Sequence, residues 1–396
     1  MRRSGGRPGA SRQFLRNASW TSHGGRTLAD MRIAYAVHGY GRGHATRSLA
    51  VLSELASRHE ILVLAGADAV SLLSCLPLVR IPCLRFGYRG ARLSAARTVR
   101  DNARLLAALA VGGGPVAAVE AALSRFGPDV VVSDSEPLAL HAAGRLGIPR
   151  IGFDHVGIIA WCRPRAPLAD ALRLRRDAIT YRLLLGSPER VVVSSFFTAP
   201  PRRRDVVVIP PVLRVRVLAA TPRDRGHLLV YLNQPRFLTP GVLSAIAGGG
   251  LPAIVYGARD ERRVGDVRFK PIDEAGFVED LASARAVLST AGHQLASEAL
   301  YLGKPMLLCP EDSVEQRHNA RELLRLGVAR CVGHGRLDAQ ASRSFLGDAD
   351  AYRRALAMLP RNGNVRAIQV LEEMGRVLAG GAPPPGASPE PLRQAG

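Results

Sequence analysis

Lysine is nearly missing from this chain. Of its 54 basic residues only Lys270 and Lys304 are not arginine. Aromatic residues amount to 5% of the sequence, too few to interleave with the arginines as a ladder for stacking bases. Nucleic acid is therefore not the expected partner, although the formal net charge is +21. Charge of that size favours phosphorylated ligands or an anionic membrane surface. The five cysteines, Cys75, Cys83, Cys162, Cys309 and Cys331, are scattered, and no C-x-x-C occurs. A disulfide framework or a zinc site is not expected, and a reducing cytoplasm fits. No apolar run reaches the ~18–20 residues of a membrane span. The nearest, LLAALAVGGGPVAAVEAAL from Leu105, is broken at 112–115 and by Glu120. The expected location is cytoplasmic, with a peripheral place on the inner face of the cell membrane.

What is present is a rhythm. Short β-branched runs at 32–37, 61–65, 79–84, 129–133, 150–153, 190–194 and 206–209 alternate with helical patterns. The alternation stops in IPPVLRVRVLAATPRDRG and resumes with runs at 227–232, 253–256, 267–271, 286–289, 306–309 and 328–332. Such alternation predicts βαβ units and parallel sheets. The chain divides into a basic extension (1–30) without the apolar core of a secretory signal, a first Rossmann-like domain (31–210), a linker (211–226), a second Rossmann-like domain (227–378) and a Pro/Gly-rich tail (379–396). Both ends are expected to be disordered. A clean strand begins just after Met31, which makes Met31 a candidate start. A helical pattern runs from Ala349 to Leu378.

Two turns carry the chemistry. VHGYGRGHATR follows the first strand and opens a helix. Gly39, Gly41 and Gly43 allow a tight turn and can admit a ligand closely, the helix N-terminus favours an anion, and Arg47 adds charge. The spacing is not G-x-G-x-x-G, and no acid ends the second strand, so a dinucleotide site is not expected. His44 stands where a general base or phosphate contact would be useful. In the second half, STAGHQLASEALYLGKPMLLCP is followed by EDSVEQRHNA. Gly292 and His293 open a helix whose N–H groups can hold a diphosphate. Glu298 follows on its first turns, where a carboxylate can accept from a ribose diol. Glu315, Gln316 and Asn319 come from the loop after the next strand, and suit hydroxyl-rich ligands.

The pattern G-x-x-x-x-x-E-A, G-K-P, then E-Q-x-x-N-A resembles the donor site of GT-B glycosyltransferases. It is most similar to the type that forms lipid II by N-acetylglucosaminyl transfer, and to a related uncharacterised bacterial and archaeal branch. PDVVVSDSEPLALHAAGRLGIPRIGFDH and the two-domain layout fit the same families. The likeness spans about residues 31–375. It departs at Leu295, where the lipid II type has Thr, and at His293 and Gln294, where it has small residues. The resemblance implies an α/β GT-B fold, two tandem doubly wound domains facing a cleft. It implies transfer of a sugar from a nucleotide-sugar donor, a UDP-sugar foremost, to an acceptor hydroxyl, lipid-linked or of the cell envelope. Gly292 and His293 would contact the diphosphate, Glu298 the ribose, and Glu315 and Gln316 the sugar, with Asn319 beneath the donor. No cofactor and no metal are expected; helix N–H groups and arginines would take the leaving-group charge.

On the acceptor side, Asp134 and Glu136 follow one strand and Asp154 and His155 end the next. These four and His44 are expected to converge on one cleft. His44 as base with Asp134 in support, and Asp134 as base, both remain open, as does a helix-capping role for Asp134. Arginines crowd from 163 to 204. In LADALRLRRDAITYRLLL, Leu168, Leu172, Ile179 and Leu183 share one face. That reads as a basic amphipathic helix suited to an anionic bilayer, or as an ordinary covering helix with a charged outer face. Competing functions are a nucleotide-sugar 2-epimerase or hydrolase of the same fold, and a non-catalytic protein that binds a nucleotide sugar or an anionic surface.

Overall fold

The computed structural model describes residues 31–40, 42–85, 87–89, 92–333, 336–357 and 362–380. The extension 1–30, Gly41 and the tail from 381 onward lie outside the described residues. Strands are numbered here in chain order. The first lobe holds β1 (Arg32–Val37), β2 (Glu60–Ala65), β3 (Leu78–Arg80), a small antiparallel hairpin of β4 (Tyr88–Arg89) and β5 (Arg92–Leu93), then β6 (Val130–Asp134), β7 (Arg150–Asp154), β8 (Arg190–Ser194) and β9 (Val206–Ile209). Its seven-stranded parallel sheet runs β3-β2-β1-β6-β7-β8-β9. The second lobe holds β10 (Leu228–Tyr231), β11 (Ala253–Tyr256), β12 (Arg262–Val264), β13 (Val267–Lys270), β14 (Ala286–Ser289), β15 (Met306–Leu308) and β16 (Ala329–Cys331). These run β12-β13-β11-β10-β14-β15-β16, parallel except for the edge strand β12.

Both sheets are buried on both faces, which is why their strands read as nearly unbroken apolar runs. Along β1, Ile33, Tyr35 and Val37 enter one core and Ala34 and Ala36 the other. Leu229 and Val230 divide in the same way in β10. In each sheet the strand order reverses at the first strand. β1 lies between β2 and β6, and β10 between β11 and β14. The crevice beyond the carboxyl ends at such a reversal is where doubly wound sheets receive ligands.

The C-terminal stretch departs from the sequence expectation. The pattern from 349 to 378 is not one helix but two, Ala349–Leu356 and Asn364–Leu378. The second leaves its own lobe. Ala367, Ile368, Val370 and Leu371 pack into the first lobe's core beside Ile33 and Leu55. Periodicity reveals an apolar face but not which core it will enter. The crossing is tight. A Cβ on Gly363 would come 2.0 Å from the Pro210 carbonyl oxygen. Gly363 N donates to Pro211 O at 2.8 Å, and Asn364 clamps Leu213 through both its amide and its carbonyl, at 2.8 and 2.9 Å. The outgoing linker and the returning chain therefore run side by side between the lobes.

Candidate active site

The turn after β1 answers to its glycines in an unexpected way. A Cβ on Gly39 would lie 2.1 Å from Gly66 O, so this glycine serves the contact between the ends of β1 and β2. The helix Arg42–Leu55 follows. His44, Arg47 and Ser48 stand three and four residues apart on it, which puts them on one face. All three meet Asp134 at the end of β6, on the other side of the strand-order reversal. His44 Nδ1 lies 2.8 Å from Asp134 Oδ1, Arg47 Nε donates to Oδ2 at 3.2 Å, and Ser48 Oγ donates to Oδ2 at 2.9 Å. Arg47 Nη2 also donates to Oδ1. Arg47 Nη2 also lies 3.1 Å from His44 Nδ1, but the shorter contact is to a carboxylate, which only accepts; this assigns the ring hydrogen to Nδ1, and a neutral ring in that tautomer has its lone pair on Nε2. Asp134 is fully buried, while the His44 side chain is 23% exposed.

Burial alone would raise the Asp134 carboxyl. Arg47 and His44 outweigh it and hold the group down at about 2. Burial likewise works against the Arg47 charge, and Asp134 more than restores it. His38, whose ring centroid is 5.4 Å from that of His44, is pushed down to about 3 by burial and then by His44.

The other acids of this lobe are placed differently. Glu136 caps the helix Pro137–Arg145: its two oxygens accept from Leu138 N at 3.1 Å and Ala139 N at 2.7 Å. Burial pushes its carboxyl up to about 7 against those two bonds. Asp154 accepts from Gly157 N at 2.6 Å and Ser135 Oγ at 2.8 Å, and burial followed by the nearby Asp134 raises its carboxyl. His155 reaches across to the second lobe. Its Nε2 lies 3.1 Å from Asn319 Oδ1, and its ring stacks on His293 at 3.5 Å. Both rings are buried and held below the ordinary imidazole value, chiefly by burial.

Across the cleft, the turn after β14 holds Ala291, a non-glycine residue at φ +66°. Ser135 after β6 and Ala67 after β2 share this left-handed conformation, at +55° and +43°. Each costs about 1–3 kcal/mol, and such strain gathers at ligand turns. Gly292 is the N-cap of the helix His293–Tyr301, and no side chain among the described residues caps that end. Its first N–H groups are free for an anion. Asn319 Nδ2 supports the turn from below by donating to Ala291 O at 3.1 Å. Gln316 lends its side-chain carbonyl to Glu311 N at 3.0 Å. Glu315 is half-buried. Burial raises its carboxyl, and His44 and Arg47 pull it the other way.

Glu298 has a partner that the sequence did not disclose. Arg214, in the linker, grips it through Nε at 2.7 Å and through Nη2, and Gln294 Nε2 adds a bond at 2.8 Å. The Glu298 side chain is fully covered, and Arg214 is 11% exposed. A cleft open to solvent lies here between the lobes. Arg42, Gly43 and Thr46 line it from one side, and Tyr231, Phe277 and Glu298 from the other, with Arg214 between them. The lobes also touch where Gln234 Nε2 donates to Tyr40 OH at 3.2 Å.

Among the described residues no group of three or more His, Cys, Asp or Glu side chains is arranged to hold a metal ion. The chain's single Asp-x-Asp, Asp348 and Asp350, opens a surface helix, where Asp350 pairs with Arg353 at 2.8 Å.

A sequence profile described as glycosyl transferase family 1 matches residues 31–349, which span both sheets and both turns. The chain belongs to that family. A curated relative of this glycosyltransferase, an uncharacterized glycosyltransferase of Methanosarcina acetivorans, is 26% identical over 364 residues, 84% of this chain and 94% of the relative. Two solved structures share the GT-B fold. The calicheamicin glycosyltransferase CalG4 superposes with a TM-score of 0.63 at 18% identity, covering 88% of this chain and 98% of that one. MurG of Acinetobacter baumannii superposes at 0.54 and 14%, covering 87% and 100%. The glycosyltransferase thus carries its His44 cluster and its uncapped helix on opposite lobes of a GT-B cleft.

Sequence reasoning missed Arg214 and Ser48. Ser48 had a signal, the H-x-x-R-S spacing on one helix face. Arg214 had none, being one arginine among many in a linker.

Proposed function

We propose that this glycosyltransferase moves a hexose from a nucleoside diphosphate sugar, a UDP-sugar foremost, to an acceptor hydroxyl with inversion at the anomeric carbon. The observation that carries the proposal is the His44–Asp134 pair, with its free Nε2, set in the same cleft as an uncapped helix N-terminus. Nε2 takes the proton from the acceptor hydroxyl while its oxygen attacks the anomeric carbon. Asp134 stabilises the imidazolium that forms. Its burial and its bond to Arg47 favour this supporting role over that of base. The nucleoside diphosphate leaves, and its charge is met by the N–H groups beginning at His293 and by arginines at the cleft, without a metal or cofactor. Glu298 holds the ribose once Arg214 yields or shares it, and Glu315 and Gln316 bind the donor sugar. Asp154 and His155 shape the acceptor side at the lobe seam, with Gly43 at its rim. Gly41, which falls outside the described residues, belongs to the same turn. The acceptor is a lipid-linked or cell-envelope alcohol met at an anionic membrane surface.

The test is a titration with UDP, GDP, TDP and CDP, followed by turnover of the matching sugar nucleotides with and without added alcohols. One nucleoside diphosphate should bind, and binding should survive His44→Ala while turnover falls by about 10²–10⁴-fold. Unchanged turnover in His44→Ala would sink the assignment. Release of free or epimerised sugar without acceptor, and no transfer with one, would favour the hydrolase or epimerase reading.

A further inference from the structure

The helix Leu168–Leu185 has two apolar faces, and the protein covers only one. Leu174, Ala178 and Leu185 are buried, the first two packed with Ile159, Trp161 and Phe197. Leu168, Leu172, Ile179 and Leu183 are 92%, 79%, 43% and 73% exposed. They follow one another at steps of four, seven and four residues. At 100° per residue this gathers them within about 60° of arc, turned away from the buried set. On one side of the stripe stands Arg175 and on the other Arg176, both exposed, with Arg163 and Arg165 exposed just before the helix. Arg176 pairs with Asp177 at 2.8 Å, and Arg175 has no ion pair among the described residues. Four aliphatic side chains in water, flanked by cations, form an unspent surface of definite chemistry.

We infer that this stripe is a docking surface for an anionic lipid bilayer. The aliphatic residues enter the boundary between headgroups and acyl chains, and the arginines meet lipid phosphates. A second copy of the chain fits poorly, because pairing two stripes would bring Arg175 and Arg176 of each helix against those of the other. The helix also adjoins the site. Tyr181 on its inner side lies within electrostatic range of Glu315 and Asp154. Asp170 pairs with Arg321 of the second lobe, and Arg173 approaches Asp312 at 3.8 Å. A docked helix would hold the lobe seam at the membrane surface. The inference gives the proposed membrane partner a location and rests on that reading only for its purpose, since docking needs neither donor nor acceptor.

The experiment is flotation of the full chain with phosphatidylcholine vesicles, with and without 30% phosphatidylglycerol, in the absence of sugar nucleotide. UDP binding is titrated separately on the same preparations. The wild type should float with the anionic vesicles. Leu168→Gln, Leu172→Gln, Ile179→Gln and Leu183→Gln combined should lower its partition at least tenfold. Arg175→Gln with Arg176→Gln should lower it about 10- to 30-fold on anionic vesicles only. These exposed positions tolerate polar residues, and far-UV circular dichroism checks the fold. Leu168→Gln with Leu172→Gln alone is a milder second variant that should lose part of the partition. Nucleotide binding should be the same in all. Equal flotation of wild type and stripe variants would overturn the inference and assign the attraction elsewhere, such as to residues 1–30. A wild type that does not float and runs as a dimer, with a monomeric stripe variant, would overturn it in favour of a second copy.

Discussion

Asp134 is the residue on which the candidate site turns, and its charge is a balance between burial and Arg47. Its folded value of about 2 lies below the ordinary 3.8. The sign follows from linkage: the ionised form contributes stability that is present above about pH 4 and is lost as pH falls towards 2. Asp134→Asn should flatten that acid limb in pH-dependent chemical denaturation, and an unchanged limb would refute the assignment. The same variant should keep nucleotide binding and lose turnover, because the amide no longer fixes the His44 tautomer or its charge. Glu298 and Arg214 make a second residue-scale case. Removing either partner of a buried pair strands the other, at about 3–5 kcal/mol. Glu298→Ala and Arg214→Ala should each show that loss in urea unfolding, and the double variant should lose clearly less than the sum. Strict additivity would mean that the pair is not formed in solution.

At the scale of elements, the helices that open at the cleft fall into two kinds. Pro137–Arg145 is capped by Glu136, and Val314–Arg325 by Ser313, whose Oγ accepts from Gln316 N at 3.1 Å. His293–Tyr301 has no such side chain, which leaves it available to a ligand. The Glu136 cap is bought at the cost of a buried carboxyl raised to about 7 from 4.5. A raised carboxyl favours folding below its unfolded value and loses that advantage as pH rises through its folded value. The stability of the wild type relative to Glu136→Gln should therefore fall between about pH 4.5 and pH 7, then level off. A difference that does not vary with pH across this window would show that Glu136 is not buried as described.

For the whole molecule, the lobes are joined by two chain segments in contact, and the last helix belongs by packing to the first lobe. Its Ile368, Val370 and Leu371 are each worth about 1.5–3 kcal/mol when buried. Gly363→Ala should cost about 1–3 kcal/mol by forcing the crossing apart, read as a lowered midpoint of thermal unfolding. A midpoint equal to the wild type would mean that the two segments are not packed together. Among the described residues no single helix is long and apolar enough to cross a membrane.

The fold class and most of the longer elements are legible in the sequence, because strand and helix periods are local. β8, β9, β11 and β14 begin and end where the apolar runs do, whereas β12 and the β4–β5 hairpin, only two or three residues long, leave no period to read. The two glycine-bearing turns were legible for the same reason: residue type and spacing along a few residues encode them. Tertiary structure decided what those residues face. It turned Glu136 into a cap, tied His155 to Asn319 across the lobes, brought Arg214 from the linker onto Glu298, and sent the final helix to the first lobe's core. It also left Leu168, Leu172, Ile179 and Leu183 uncovered, where the pattern alone allowed either face to be the buried one. Periodicity fixes which residues share a face; only packing between distant segments decides which partner that face meets.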